Sequence, residues 1–391
     1  MEWAKYLPTI ICCLFVLASG LAVGSFINVL VSRLPFEKSI VWPSSRCFAC
    51  YRRIRFTDNI PVLSYLRLRG KCRECGAPFS ARYLWVELGT GLAFLGLFVA
   101  EVMFNYFNLP GVKFGLNDPN PTPSPRAIAI FAYHATLIAG LIAAAVVDAE
   151  HRVIPTQITY PVMAVGIIGG ALMPWPWPNP PESVSAILPG VPWILAETIG
   201  KIPSGVQPWP LWGPVPDFAP PGSWKLGLLN GVLGALVGSL VVRATKWLFE
   251  TGFGREALGL GDADLLMMAG AFLGWQIAVM ALFAGSFAAI ALKILGTILF
   301  SPADATAPAT PTGTPVSGPP SVRELAFAPG LAVGVVAMWF AWPWLGPKLQ
   351  FPFFDGTMMA VLVGIMGVGL LAAALMLRKP VEVESPQGVA K

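Results

Sequence analysis

The sequence predicts an all-α polytopic membrane protein of about 8–9 transmembrane helices carrying a small cytoplasmic zinc-binding loop domain, on three observations. Of 391 residues, 55% are hydrophobic and only 12% charged, with a mean hydropathy of +0.66, far from the composition of a soluble domain. Apolar runs, most of them about 20 residues long and so able to cross a hydrocarbon core of roughly 30 Å, recur along the chain. Four cysteines stand as two C-x-x-C pairs in the one strongly basic loop.

The apolar runs fall near 9–32, 84–107, 127–147, 156–173, 226–249, 264–275, 277–300, 327–346 and 357–377, and the short sixth run is expected to join its successor through Gly274 and Trp275. The first run continues into Gly24, Ser25 and Asn28 without a processing site, so it reads as a retained helix rather than a signal peptide. Gly24, Ser25 and Asn28 are of the small and polar kind that lets a neighbouring helix approach closely; packing is the expectation and substrate contact the alternative. Cys12 and Cys13 lie inside this run and read as inert, buried thiols.

Residues 33–83 hold eleven basic against three acidic residues, a net charge of +8, which keeps this segment in the cytoplasm. The whole chain carries +5, so the excess belongs to that loop and speaks for membrane orientation, not for nucleic-acid binding. Within it Cys47, Cys50, Cys72 and Cys75 form two knuckles with 21 residues between the pairs, a spacing suited to four thiolates around one Zn²⁺. Disulfides are disfavoured in a reducing compartment, and a redox site needs only one pair.

Counting spans from the cytoplasmic loop brings the third run back to the cytoplasmic face at Asp148, where Pro155 is expected in the first turn of the next helix. Residues 174–225 are rich in Pro and Trp and are expected along the outer interface, residues 301–320 read as a disordered linker, and Arg378 and Lys379 place the C-terminus in the cytoplasm. No internal repeat is evident. The few charges deep in the spans, Lys293 the clearest, argue against a transporter with an intramembrane relay.

The same count puts Asp262, at the head of the sixth run, on the face that holds Asp148. Two carboxylates in a poorly solvated site share one proton, so that one can activate water while the other protonates a carbonyl, the chemistry of an aspartic protease. Asp148 sits at the negative end of its helix and Asp262 at the positive end of its own, so the shared proton is expected on Asp148. Gly259 and Gly261 let the backbone bend and another peptide come close; Gly-Leu-Gly lacks the lysine and spacing of a phosphate loop. Asp264, two positions after Asp262, is expected to point away from the pair. Taken singly, Asp148, Glu150 and Asp262 also read as solvated interfacial or helix-end charges.

Several stretches together resemble the bacterial type IV prepilin peptidases: Gly20–Val29 with Arg33-Leu34-Pro35, the four cysteines, Asp58–Leu66, Arg69–Cys72, Ser80–Tyr83 with Val86-Glu87-Leu88, Asp148 seven residues before Pro155, Gly259-Leu260-Gly261-Asp262, Gly270–Gln276 and Phe327–Gly334. The resemblance implies a membrane aspartyl protease of the bacterial inner membrane, with Asp148 and Asp262 as catalytic pair and the four cysteines as zinc ligands. It implies a prepilin or pseudopilin substrate with an apolar N-terminal helix in the lipid bilayer, cleaved after a short basic leader, and N-methylation of the new terminus with S-adenosylmethionine. On that reading the chain divides into a first helix (1–32), the zinc domain (33–83), a peptidase core (84–300), the linker (301–320) and C-terminal helices (321–391). Asp264 departs from the family, which usually has lysine there, and the ninth span and the Pro/Trp loop are additions. A zinc-bearing scaffold without catalysis is the alternative.

Overall fold

The computed structural model describes residues 6–107, 112, 123–173, 218–219, 223–253, 259–299, 326–345 and isolated positions within 357–369. The expected linker, nearly all of the Pro/Trp loop and most of the ninth run lie outside them. The described residues form no strand beyond two isolated bridges, and six helices are long and apolar enough to cross a membrane.

Helix α1 (Leu7–Arg33) packs along α3 (Arg82–Phe98). The crossing is set by small residues: a Cβ on Gly24 would come within 2.7 Å of the Glu87 Cα. One turn on, the Asn28 side-chain amide donates to the Tyr83 carbonyl at 3.1 Å. Packing, the expected role of this stretch, is therefore what Gly24 does. Cys12 and Cys13 are only half-buried, because α1 lies at the edge of the bundle with much of its length uncovered.

Between α1 and α3 stands the cysteine module, with one short helix, α2 (Leu63–Arg67). Its two knuckles repeat one local geometry. Cys47 N–H donates to the Arg52 carbonyl and Cys72 N–H to that of Ala77, while the Cys47 and Cys72 carbonyls each accept, at 2.9 Å, from the residue four places on. That fourth residue is left-handed in both, Tyr51 at φ 58° and Gly76 at φ 71°, so the module does contain an internal repeat, contrary to expectation: it lies in backbone geometry and shares little sequence beyond the cysteines.

A π-helical turn (Val99–Met103) extends α3 and presents Glu101, which hydrogen-bonds His134 of α4 (Pro125–His151); both side chains are buried. Lys293 is exposed on the bundle, whereas the ionisable Glu101 and His134 within the spans are fully buried, hidden from a sequence reading by the apolar run around them. Ser124 caps α4, accepting from Ala127 N–H at 3.2 Å, and Arg152 ends it at φ 58°. Helix α5 (Thr156–Leu172) follows, with Pro155 as its N-cap and not in its first turn. The reason is local: Pro155 is extended at ψ 130°, and its carbonyl accepts from Ile158 N–H.

Helices α6 (Trp224–Phe253) and α7 (Leu260–Leu273) cross at near-backbone contact, Gly234 against Gly270 and Gly238 against the Leu266 carbonyl. Eleven of the fourteen residues of α7 are buried, Asp262 and Asp264 among them, which places this helix at the centre of the bundle. It does not run into α8 (Trp275–Leu299) as one helix, contrary to expectation: Gly274 at φ 82° breaks the chain between them. Helix α9 (Ala328–Leu345) closes the bundle against α8 through Gly285, Gly330 and Gly334.

Candidate active site and metal centre

The head of α7 and the foot of α4 converge. Asp262 is the third residue of α7, after the extended N-cap Gly259, and is 7% exposed. Asp148 stands one turn before the end of α4 and is 8% exposed. The two carboxylates are close enough to act on each other electrostatically.

Gly261 makes the approach possible: a Cβ there would lie 2.8 Å from the Ile154 Cβ, on the turn that follows Asp148. Gly259 is freer, its nearest neighbour being the Asp262 carboxylate at 3.5 Å from an added Cβ. The two glycines, alike in sequence, therefore do different work.

A third element enters that no spacing revealed. The backbone N–H of Ala328, at the N-terminus of α9, donates to Asp148 Oδ2 at 3.1 Å. A positive helix end thus faces Asp148 as well as Asp262. The expectation that the shared proton rests on Asp148, which counted only the helices carrying the two acids, loses its basis. The signal was Phe327-Ala328-Pro329-Gly330, readable as a helix start but not as a partner of an acid 180 residues earlier.

Asp264 turns from the pair towards α6, where the Arg243 guanidinium lies 3.6 Å from its Oδ1. Glu150 is tied to Arg82 at the head of α3 and lies 3.7 Å from His151, so it fastens α4 to α3 at the surface.

In the module, the sulfurs of Cys47, Cys50, Cys72 and Cys75 all lie within 4.8 Å of one another, and all are free thiols. Tetrahedral Zn²⁺ with Zn–S of about 2.3 Å requires sulfurs ~3.8 Å apart. Cys47 and Cys75 stand at 3.8 Å, so the donor set fits a metal of that kind. The backbone N–H groups of Cys50 and Ala49 point at the Cys47 sulfur and hold its thiol down, at about 7. The hydrogen bonds of Arg73 and Arg67 to Asp58 brace the same module and hold that carboxyl down at about 2.

Residues 18–101 match the family model described as the bacterial peptidase A24 N-terminal domain, and residues 217–294 match that of the type IV leader peptidase family; Asp148 falls between the two stretches. A prepilin leader peptidase/N-methyltransferase of Klebsiella pneumoniae is 30% identical over 270 residues, covering 67% of this chain and 85% of that protein. One of Stutzerimonas stutzeri is 28% identical over 351 residues, covering 84% and 89%. One of Myxococcus xanthus is 30% identical over 262 residues, covering 67% of this chain and 56% of that longer protein. No solved structure matches the chain. With the four-cysteine module at one end of α1 and α3 and a relative matched over most of its length, this multi-pass membrane protein belongs to the type IV leader peptidase family.

Proposed function

We propose that the protein is a membrane aspartyl endopeptidase that removes the leader of type IV prepilins or pseudopilins at the cytoplasmic face of the bacterial inner membrane, with Asp148 and Asp262 as its catalytic pair. One observation carries the assignment: two acids far apart in sequence meet on buried helix ends, beside a backbone donor to one of them. In the reaction one carboxylate takes a proton from water as its oxygen attacks the scissile carbonyl, and the protonated partner gives its proton to the carbonyl oxygen. The adduct collapses as the leaving nitrogen gains a proton, freeing the leader and a new N-terminal amine.

The module of residues 33–83 is proposed to hold structural Zn²⁺ through Cys47, Cys50, Cys72 and Cys75, because a segment so small lacks a core of its own. Residues 84–300 would then form the peptidase core. Methylation of the new terminus with S-adenosylmethionine is supported by the family resemblance and by the names of the relatives.

The test is co-expression with a prepilin-like substrate carrying a basic leader, a glycine and an apolar helix, read as a mobility shift. Wild type shortens the substrate; Asp148→Asn and Asp262→Asn do not, with a loss of at least about a thousandfold, as for removal of a group essential to acid–base chemistry. Glu150→Gln and Asp264→Asn retain cleavage. Full cleavage by either of the first two variants would remove the pair from the mechanism.

A further inference from the structure

Between α1, α3 and the cysteine module lies a cavity of about 630 Å³, within the range of small-molecule sites. Two buried groups that line it are incompletely matched, Asn28 Oδ1 by a donor and Glu87 by a counter-charge. Glu87, 8% exposed, accepts from Val62 N–H at 2.7 Å, and the Ser25 hydroxyl turns towards it. Among the described residues no cationic side chain acts on this carboxylate. Asn28, 3% exposed, spends its amide N–H on the Tyr83 carbonyl, which fixes the orientation of the group. Its Oδ1 is left buried with no partner.

The crossing of α1 and α3 brings these groups together. Gly24 abuts Glu87, Asn28 stands one turn beyond Gly24, and Tyr83 one turn before Glu87. Ser25, Asn28, Tyr83 and Glu87 all line the cavity. A buried carboxylate without a counter-charge and a buried oxygen without a donor are each costly, and one group relieves both: a compact cation with several N–H donors.

We propose that Asn28 and Glu87 form a receptor for a primary ammonium group, and that its occupant is the α-amino terminus exposed when the leader is cut. The inference rests on the processing reading above. A lysine of the basic leader suits the nook poorly, because the basic residues that line the same cavity, Arg33, Lys38, Arg46 and Arg53 among them, outnumber its acids Asp58, Glu74 and Glu87 and repel a basic segment. A processed terminus has shed that charge. It also has a short way to travel, since Val86, next to Glu87, and Val147, next to Asp148, share one buried cluster with Ile27 and Val31.

The measurement is binding of a labelled synthetic peptide, an apolar helix with a free N-terminal amine, against its N-acetylated twin, to the full-length zinc-loaded protein in nanodiscs. The free amine is expected to bind at least ten times more tightly. Glu87→Gln and Asn28→Leu should bring it down to the acetylated level without altering the acetylated peptide. Equal binding of the two peptides by wild type overturns the proposal whatever the variants do. A second arm compares a sulfonium methyl donor bearing an α-amino group with its deaminated analogue. Discrimination there and none between the peptides gives the nook to the donor and overturns the peptide assignment. Cleavage of a precursor by the same preparation is scored separately: cleavage with indifference to the amine sinks this inference alone, and no cleavage sinks the processing reading.

Discussion

Gly261 has no room for a side chain, since its Cβ would sit 2.8 Å from that of Ile154, inside van der Waals contact. Alanine there must push the head of α7 away from the turn after Asp148. Displacement of a reacting group by even a fraction of an ångström is expensive, and ~1 Å can cost on the order of a hundredfold. Gly261→Ala is therefore expected to lower kcat by roughly ten- to a hundredfold with KM little changed. Gly259→Ala, which meets nothing nearer than 3.5 Å, loses less. Steady-state cleavage of one substrate by both variants checks the order, and a larger loss at Gly259 would contradict it. Asp148, Asp262 and the turning-away of Asp264 were legible in the sequence because carboxylates at the ends of apolar runs have few places to be, and because the helix period fixes which neighbours share a face. The Ala328 donor was not, because a backbone N–H carries no residue signature. Nor did sequence distinguish the two glycines: the difference lies in Ile154, a residue with nothing unusual about it.

At the scale of elements, α7 owes its position to backbone contact with α6. Gly234 and Gly270 meet so closely that neither tolerates a Cβ without a shift of the helices, and Gly238 lies against the Leu266 carbonyl one turn away. Such small-residue crossings hold membrane helices together by packing alone. Gly270→Val is expected to destabilise the protein by about 1–3 kcal/mol through overpacking. Because α7 carries Asp262, cleavage should fall together with the thermal midpoint. That coupling separates it from Gly261→Ala, whose loss is expected at an unchanged midpoint; a Gly270→Val protein with normal melting and normal cleavage would refute the crossing. Hydrophobicity revealed these helices but not their breaks. The nearly abutting apolar runs 264–275 and 277–300 hide the turn at Gly274, visible only as φ 82°, and the run 84–107 hides the acid of the π-helical turn behind Val99, Ala100 and Val102.

At the scale of the whole molecule, the bundle and the cysteine module are held by different forces. The bundle is secured by packing in an apolar setting. The module, too small for a core, depends on its four thiols and on charge: Asp58 accepts from Arg73 Nε at 2.7 Å and from Arg67 at 2.8 Å, and Glu74 pairs with Arg52 and Arg55. The module should therefore respond to acid while the bundle does not. Asp58 is held at about 2 in the folded protein by the hydrogen bonds of Arg73, then Arg67, against roughly 3.9 for an unfolded aspartate. A depressed acid stabilises the fold above its unfolded value, and that stabilisation is lost as pH falls through the folded one. Asp58→Asn is thus expected to loosen the module at pH 7, seen as faster proteolysis between α1 and α3 in the full-length protein. The gap from wild type should stay constant down to about pH 4 and close towards pH 2. Proton-driven loss of a metal held by the four thiolates would loosen both proteins and narrow the gap by another route, so metal content is measured at each pH and only samples of equal occupancy are compared. A gap that widens on acidification would show that Asp58 braces the module in its protonated form, and the charge pairing with Arg73 would then not be what holds it.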